Sequence, residues 1–331
     1  MRVFQAQLRT PFWISSDAIA NMTSMLRRPW HILKSAKNPA VARVAVGLRK
    51  LSYGEITYVK TNELVSDTLE WIKSFPQRFD MVVGIPRAGL IPASIISTQL
   101  GVPLTMPDLF PRAFISNKTY DTLPNEVLVV DDASGRAEGG TMDTILKMLT
   151  TKSPKTKFWK ASTYVMESCA NFFDLYHRVI RDKGRFVCEW NLQHDKYFGI
   201  LGADMDGVLC EDCSEEDDKD EAKYVNHLVN ARPYFIPDYE IDYIVTGRLE
   251  KYRAETEAWL ARHRIKYGKL IMWNLQDKSQ RTNPAQYKAK ELLLSKPGMF
   301  IESRHLEAGV ISRKVGIHVF CFEHMNFVGK C

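Results

Sequence analysis

The chain has 331 residues, 45% of them hydrophobic, and a formal net charge of +6, which is enough for about two packed domains. No apolar run approaches the roughly 20 residues that span a bilayer, and no signal peptide is evident at Met1. Six scattered cysteines suit a reduced, cytoplasmic setting, and Cys210-Glu211-Asp212-Cys213 is a CxxC without a second pair, which argues against zinc or redox chemistry.

Residues 1–50 hold nine Lys or Arg against one acid, Asp17, with Phe12, Trp13, Trp30 and Ile32 interleaved among Arg27, Arg28, Lys34 and Lys37. Such a segment can lie on an anionic membrane surface or form a basic hood on the core that follows. Nucleic acid is not expected as a partner. Residues 52–74 read as a helix-rich lead-in on Leu64, Leu69, Trp71 and Ile72, and Asp80–Ile85 as a buried strand. That strand ends in Gly84-Ile85-Pro86-Arg87-Ala88-Gly89, where glycines allow close backbone approach and Arg87 supplies charge. A helix over Pro92–Leu100 leads to a short strand ending at Leu104, then to a polar stretch, residues 105–125, carrying Arg112, Lys118 and Tyr120. A connection this long without structure is expected to be functional, as a lid.

Val127–Val130 is a second buried strand, and it delivers Asp131 and Asp132 to its C-terminal end, where open α/β sheets bind ligands. A glycine loop follows, with Glu138, Gly139 and Gly140. Thr141 then opens a helix whose N-terminal amides can hold a phosphate. Strand, glycine turn and helix thus occur twice, about 47 residues apart, which is the doubly wound pattern. Phe158–Met166 and Phe186–Glu189 read as further strands with Asp174–Arg181 helical between them, and Asp195-Lys196 as a domain boundary. Trp190 reads equally as part of a binding site or as interdomain packing.

In the second half, Phe198–Ala203 is an apolar strand running into Asp204-Met205-Asp206-Gly207-Val208. From Glu211 to Glu221 eight acids stand against Lys219 and read as a mobile, solvated flap. Tyr243–Arg248 is another strand, ending at Thr246-Gly247-Arg248. Lys288 and Lys290 lie on a helical stretch, and Met299–Ile301 leads to Glu302-Ser303-Arg304.

The run VLVVDDASGRAEGGT resembles the signature of type I phosphoribosyltransferases, which bind 5-phosphoribosyl-1-pyrophosphate (PRPP). The resemblance implies that Gly84, Pro86, Arg87, Ala88 and Gly89 form a pyrophosphate loop. It also implies that Asp131 and Asp132 hold the ribose hydroxyls, that Gly139, Gly140 and Thr141 hold the 5-phosphate, and that residues 105–125 close over PRPP. The chain departs from the family in a loop about two residues longer than usual and in Glu138, where Thr or Ser is common.

Residues 195–331 resemble the haloacid dehalogenase superfamily of phosphatases. That likeness implies Asp204 as nucleophile, Asp206 as general acid/base, Thr246 on the phosphoryl oxygens and Lys288 or Lys290 as the neutralising cation. Magnesium would be held by Asp204, Asp206 and Glu302, with the Met205 carbonyl beside them. Many members have Asp-Asp where this chain has Glu302-Ser303.

The expected fold is α/β, two doubly wound parallel-sheet domains at 51–194 and 195–331 behind the basic segment 1–50, the second with little or no cap. Spacings of 42 residues from Asp204 to Thr246 and from Thr246 to Lys288 leave no room for a large cap. In nucleotide salvage a fused phosphatase would undo the transferase, so the fusion suits transfer of ribofuranose 5-phosphate to an acceptor followed by removal of the phosphate. Proteins of this two-domain kind are similar to PRPP-dependent ribofuranosyltransferases of bacterial polysaccharide (capsule or O-antigen) biosynthesis. That implies a glycan hydroxyl acceptor, a β-linkage, and action in the cytoplasm or at the inner face of the membrane on a lipid-linked glycan. Asp132, Glu138 and Glu189 are candidates for the general base. The rival is a nucleobase phosphoribosyltransferase coupled to a nucleotide 5'-phosphatase; a PRPP-sensing protein with degenerate sites fits poorly with intact Asp131, Asp132, Asp204 and Asp206.

Overall fold

The computed structural model describes residues 55–115, 118–120, 122–182, 184–196, 199–295 and 297–329, so the basic segment 1–50 and Phe198 lie outside the described residues. In chain order the first elements are β1 (Ile56–Val59), α1 (Thr61–Ile72), β2 (Met81–Gly84), α2 (Leu90–Leu100), β3 (Leu104–Thr105), β4 (Ala113–Ile115) and β5 (Lys118–Tyr120). They are followed by β6 (Glu126–Ser134), α3 (Thr141–Lys152), β7 (Lys157–Met166), β8 (Leu175–Ile180) and β9 (Arg185–Cys188). The remaining elements are β10 (Leu201–Ala203), α4 (Glu221–Asn230), β11 (Ile241–Leu249), α5 (Arg253–Arg262), β12 (Tyr267–Trp273), α6 (Pro284–Ser295), β13 (Met299–Glu302), α7 (His305–Val315), β14 (His318–Cys321) and β15 (Asn326–Val328).

The fold is α/β with mostly parallel sheets. One sheet runs β5-β4-β3-β2-β6-β7-β8, parallel except for β4 and β5, and another runs β12-β11-β10-β13-β14-β15, parallel except for β15. Continuous apolar runs mark the central strands because both faces are covered. In the first sheet Val83, Val127 and Val129 pack with Met142 of α3 on one side, while Val82, Leu128 and Val130 pack with Trp71 of α1 and Ile96 of α2 on the other. In the second, Val245, Phe300 and Val319 pack on Leu292 of α6 and Ile311 of α7.

The strand order places a topological switch between β2 and β6 in the first sheet and between β10 and β13 in the second. At each switch the connections leave in opposite directions and open a crevice at the carboxyl ends of the strands. Asp131 and Asp132 fall at the first crevice, Asp204 and Glu302 at the second. Between β10 and β11 the described elements comprise one α-helix, α4, and a short 3-10 turn.

Several elements differ from the sequence expectation. Within residues 174–181, expected to be helical, Leu175–Ile180 form strand β8, parallel to β7. Backbone pairing along six residues overrides the weak local pattern, as tertiary context does for short segments. The helix-rich lead-in contains α1 as expected, and a short strand, β1, precedes it. It pairs in parallel with β9, Ile56 opposite Arg185 and Val59 opposite Cys188, in a separate two-stranded ribbon, so β9 does not extend the main sheet. Residues 105–125 are not an unstructured connection, because β4 and β5 form an antiparallel pair on the edge of the sheet. The acidic run is folded rather than a free flap: Asp218 accepts from Lys278 Nζ at 3.0 Å and Glu221 from the Tyr252 hydroxyl at 2.6 Å.

Candidate active sites

The first crevice is built by two turns. Gly89 starts α2 so close to β6 that a Cβ would stand 2.7 Å from the Ile85 carbonyl oxygen, 2.8 Å from that of Val130 and 2.9 Å from the Asp131 Cα. Only glycine lets the loop after β2 press against the strand that carries the acids. The Pro86–Arg87 peptide in this loop is cis, and Arg87 is exposed. Strand β6 runs on past both acids to Ser134, longer than expected, because β7 continues to pair with it through Ala133–Tyr164 and Ser134–Val165.

Asp132 is buried, at 6% exposure, and its Oδ2 accepts from Trp190 Nε1 at 2.7 Å. The Asp132 amide donates to Asp131 Oδ1 at 3.0 Å. Burial, then the neighbouring Asp132 charge, pushes the Asp131 carboxyl well above its ordinary range. Burial also raises Asp132, opposed by the Trp190 N–H. Two adjacent acids with few internal partners can accept from vicinal hydroxyls.

In the glycine loop the Gly139 amide donates to Asp143 Oδ2 at 2.9 Å, and Lys147 holds the same oxygen at 2.8 Å. Asp143 thus occupies one of the amides that the resemblance gives to a phosphate; an acid in the first turn of a helix was the overlooked signal. Of the three general-base candidates, Glu189 is engaged, its Oε2 accepting from the Thr61 amide at 2.5 Å at the start of α1. Asp132 is engaged by Trp190, and Glu138 is exposed.

The second crevice is a cleft of about 310 Å³ lined by Asp204, Asp206, Arg248, Trp273, Arg281 and Lys288 among others. Lys288 comes from α6 and its Nζ reaches Asp204 Oδ2 at 2.6 Å, Glu302 Oε2 at 2.9 Å and Glu307 Oε2 at 3.0 Å. Lys290 is exposed on the same helix, two residues on and therefore on another face, so Lys288 is the lysine brought to Asp204. Burial opposes the charge on Lys288, but the three carboxylates hold its ammonium well above the usual range. Asp204 is raised by burial and by Glu302 against the pull of Lys288. One ammonium thus faces three carboxyl groups, so the cluster holds more acids than cations.

Arg248 was overlooked as a site residue although it directly follows Thr246-Gly247. The register of β11 against β12 shifts between Val245 and Leu249, a bulge that turns this segment. Fully buried, Arg248 grips Asp206 through Nε at 3.0 and 2.9 Å and through Nη2 at 2.5 Å. Burial would raise the Asp206 carboxyl, but Arg248 overrides it and holds the group below its ordinary range. The Asp206 carboxylate is therefore committed to Arg248 rather than free for a metal. Thr246 is fully buried, its hydroxyl accepting from the Arg248 amide at 3.2 Å.

The Met205 carbonyl, expected beside magnesium, is instead turned into the following loop, where it accepts from the amides of Leu209 at 2.9 Å and Cys210 at 3.2 Å. Gly207 makes that loop possible, with φ at +73° and room for no Cβ against Ser303, 2.6 Å away. The Arg304 guanidinium is drawn off to Asp212 at 3.3 Å, while Glu302 accepts from Lys288 on Oε2 and from the Ser303 amide and hydroxyl on Oε1, at 2.8 and 3.1 Å.

Among the described residues no group of three His, Cys, Asp or Glu side chains is arranged to hold a metal ion. The donor chemistry of Asp204 and Glu302 nevertheless fits magnesium, since both offer carboxyl oxygens and the cluster holds three acids against one ammonium. Lys288→Met should strand those carboxylates and lower stability by roughly 3–5 kcal/mol. Urea unfolding measures this, and an unchanged midpoint would show that the carboxylates do not depend on Lys288.

No protein-family model matches the sequence, and no curated protein matches it. Among solved structures, the chain is similar to a xanthine-guanine-hypoxanthine phosphoribosyltransferase of Helicobacter pylori, at 19% identity and a TM-score of 0.33, over 42% of this chain and 95% of that one. It is also similar to a purine phosphoribosyltransferase of Pyrococcus horikoshii Ot3, at 21% identity and a TM-score of 0.32, over 41% of this chain and 93% of that one. A structure of a Pnkp1/Rnl/Hen1 complex covers more of the chain, 85%, and 91% of its own, at 14% identity and a TM-score of 0.27. At these scores the likenesses carry no mechanism. The α/β class rests on the sheets themselves.

Proposed function

We propose that this chain is a bifunctional enzyme that transfers ribofuranose 5-phosphate from PRPP to a glycan hydroxyl and then removes the 5-phosphate. The observation that carries the reading is the placement of a carboxylate pair at the switch point of each sheet, Asp131-Asp132 in one and Asp204 with Glu302 in the other. Two such crevices with different surroundings suit two steps on one sugar. The domain limits 51–194 and 195–331 belong to this proposal.

In the first step Asp131 and Asp132 accept from the ribose hydroxyls and Arg87 faces the diphosphate. The C1–O bond to pyrophosphate breaks, the acceptor oxygen bonds to C1 from the opposite face, and its proton leaves to a base, giving a β-linkage. Of the three candidate bases, Glu138 is the one with no hydrogen bond among the described residues, and it is exposed. In the second step Asp204 attacks phosphorus and the P–O ester bond breaks. The released sugar oxygen takes a proton from solvent, and water then cleaves the aspartyl-phosphate, losing its proton to Asp206, to give inorganic phosphate and free Asp204. Lys288 screens the charge between nucleophile and phosphate.

Asp206 is the acid/base of this scheme. Its grip by Arg248 favours the ionised form, which suits activation of the water more than protonation of the leaving oxygen. Asp204 and Glu302 would hold magnesium, which would neutralise further phosphate charge when bound. The open cleft, with α4 as the helix between β10 and β11, suits a phosphate on the end of a bulky glycan. Among the described residues no helix is long and apolar enough to cross a membrane. Contact with a membrane surface would fall to residues 1–50.

The test is incubation of the full chain with PRPP, magnesium and glycan fragments or free nucleobases, following pyrophosphate and then phosphate. Release of both with glycan fragments supports the reading. Turnover of adenine, guanine, uracil or orotate alone would replace it with the nucleobase reading.

A further inference from the structure

Asp132 is held from outside its own sheet. Trp190 sits on the short 3-10 turn Glu189–Asn191 directly after β9, and its indole N–H reaches Asp132 Oδ2 at 2.7 Å. The ring lies nearly parallel to Tyr164, 22° between planes with centroids 6.5 Å apart. Tyr164 is itself fixed by its hydroxyl on Asp67 at 2.8 Å and by the Arg178 guanidinium 4.9 Å above its ring. The turn is fixed by Glu189 on the Thr61 amide.

The ribbon β1–β9 that carries this turn is seated in its turn on the second sheet. Tyr58 of β1 meets the rings of Phe320 and Phe327 edge-on at 5.6 and 5.4 Å, and those two rings meet each other at 5.1 Å. Phe320 lies on β14 and Phe327 on β15, directly opposite each other in the antiparallel pair. Beside them Lys60 Nζ donates to the His324 carbonyl at 3.3 Å.

We propose that Trp190 is a positioning residue for Asp132, and that the β14–β15 hairpin, by seating Tyr58, holds the ribbon that delivers it. The inference rests on the reading of Asp131 and Asp132 as the PRPP-binding acids. A carboxylate rotates freely about its Cβ–Cγ bond unless something fixes its plane. A neutral N–H on one oxygen fixes that plane without cancelling the charge, so the remaining lone pairs stay aimed at the vicinal hydroxyls of a ribose. The part of the chain assigned to phosphate removal thereby helps to shape the site assigned to transfer.

The experiment compares PRPP binding, in the presence of magnesium, by the full wild-type chain, Trp190→Phe, Tyr58→Ala and Tyr58→Phe, using titration calorimetry across pH. Trp190→Phe keeps the ring and its stacking but removes the donor, so the Kd for PRPP should rise about tenfold, as for loss of a hydrogen bond to a charged group. Its acid limb should also move to higher pH, because the N–H that favoured the ionised carboxylate is gone. Asp131 and Trp190 are the groups that face Asp132 in that titration, and the first is unchanged by the substitution.

Tyr58→Ala should weaken binding in the same direction, whereas Tyr58→Phe, which keeps the ring, should bind as wild type. Phosphate release from p-nitrophenyl phosphate should be unaffected in Trp190→Phe. Equal or tighter PRPP binding by Trp190→Phe with an unmoved acid limb overturns the inference alone. Absence of PRPP binding by the wild type overturns the reading beneath it, and the inference with it.

Discussion

Asp204→Asn should stop phosphate release altogether while pyrophosphate release continues at the wild-type rate. An amide has no charge with which to attack phosphorus, and nucleophile removal typically costs several orders of magnitude in rate. The fold should survive, because Lys288 keeps Glu302 and Glu307 and the cluster loses one of three mutually repelling carboxylates. Thermal unfolding should show a midpoint equal to or above that of wild type. Mass spectrometry of the product should then find a glycan heavier by one phosphoryl group. If the dephosphorylated product still forms at the wild-type rate, the phosphatase does not lie in this cleft.

The double substitution Asp131→Asn with Asp132→Asn should have the opposite selectivity, abolishing pyrophosphate release and sparing hydrolysis of a small phosphomonoester. Each lost charged hydrogen bond costs about 1.5–3 kcal/mol, so the pair is expected to lower kcat/KM by roughly two to four orders of magnitude. The same substitution has a signature in stability. Both acids have folded-state pKa values raised above their unfolded values, so the native state binds protons more tightly than the unfolded one. Wild-type stability therefore falls as pH rises from the ordinary carboxylate range through the raised values. The double variant should lack that fall. Identical pH profiles of the unfolding midpoint, with unchanged pyrophosphate release, would remove these acids from the site.

Much of the frame was legible because buried parallel strands advertise themselves. Met81–Gly84, Val127–Val130 and Met299–Ile301 are short apolar runs next to glycines or acids, and each is part of a central strand. What escaped lacks a local signal. Strand β8 lies at the sheet edge with Tyr176 and Val179 exposed, so its composition does not declare two covered faces. Strand β1 is four residues long and finds its partner only across most of the first sheet. The choice of Lys288 over Lys290 depends on which face of α6 meets the sheet, and the lines read from the sequence left both open. Arg248 stood in plain view after Thr246-Gly247, but its role needs the bulge in β11 that turns it onto Asp206. Asp143 and Glu189 show the converse. Both are acids in or near a site, yet each binds a backbone amide of its own chain.

The seating of the β1–β9 ribbon also sets an order of events for a chain made from its N-terminus. Thr61 meets Glu189 across 128 positions, and Lys60 meets His324 across 264. Closing such distant contacts is slow because the loop entropy is lost before any contact rewards it. Strands β2, β6 and β7 can assemble while the second sheet is still being synthesised, but Tyr58 must wait for β14 and β15. During that interval an aromatic ring and an unpaired edge face the solvent, which is when a nascent chain is most exposed to association with its neighbours. A ribosome-stalled chain ending before His318 should therefore recruit hydrophobic-surface chaperones more strongly than one long enough to complete the hairpin.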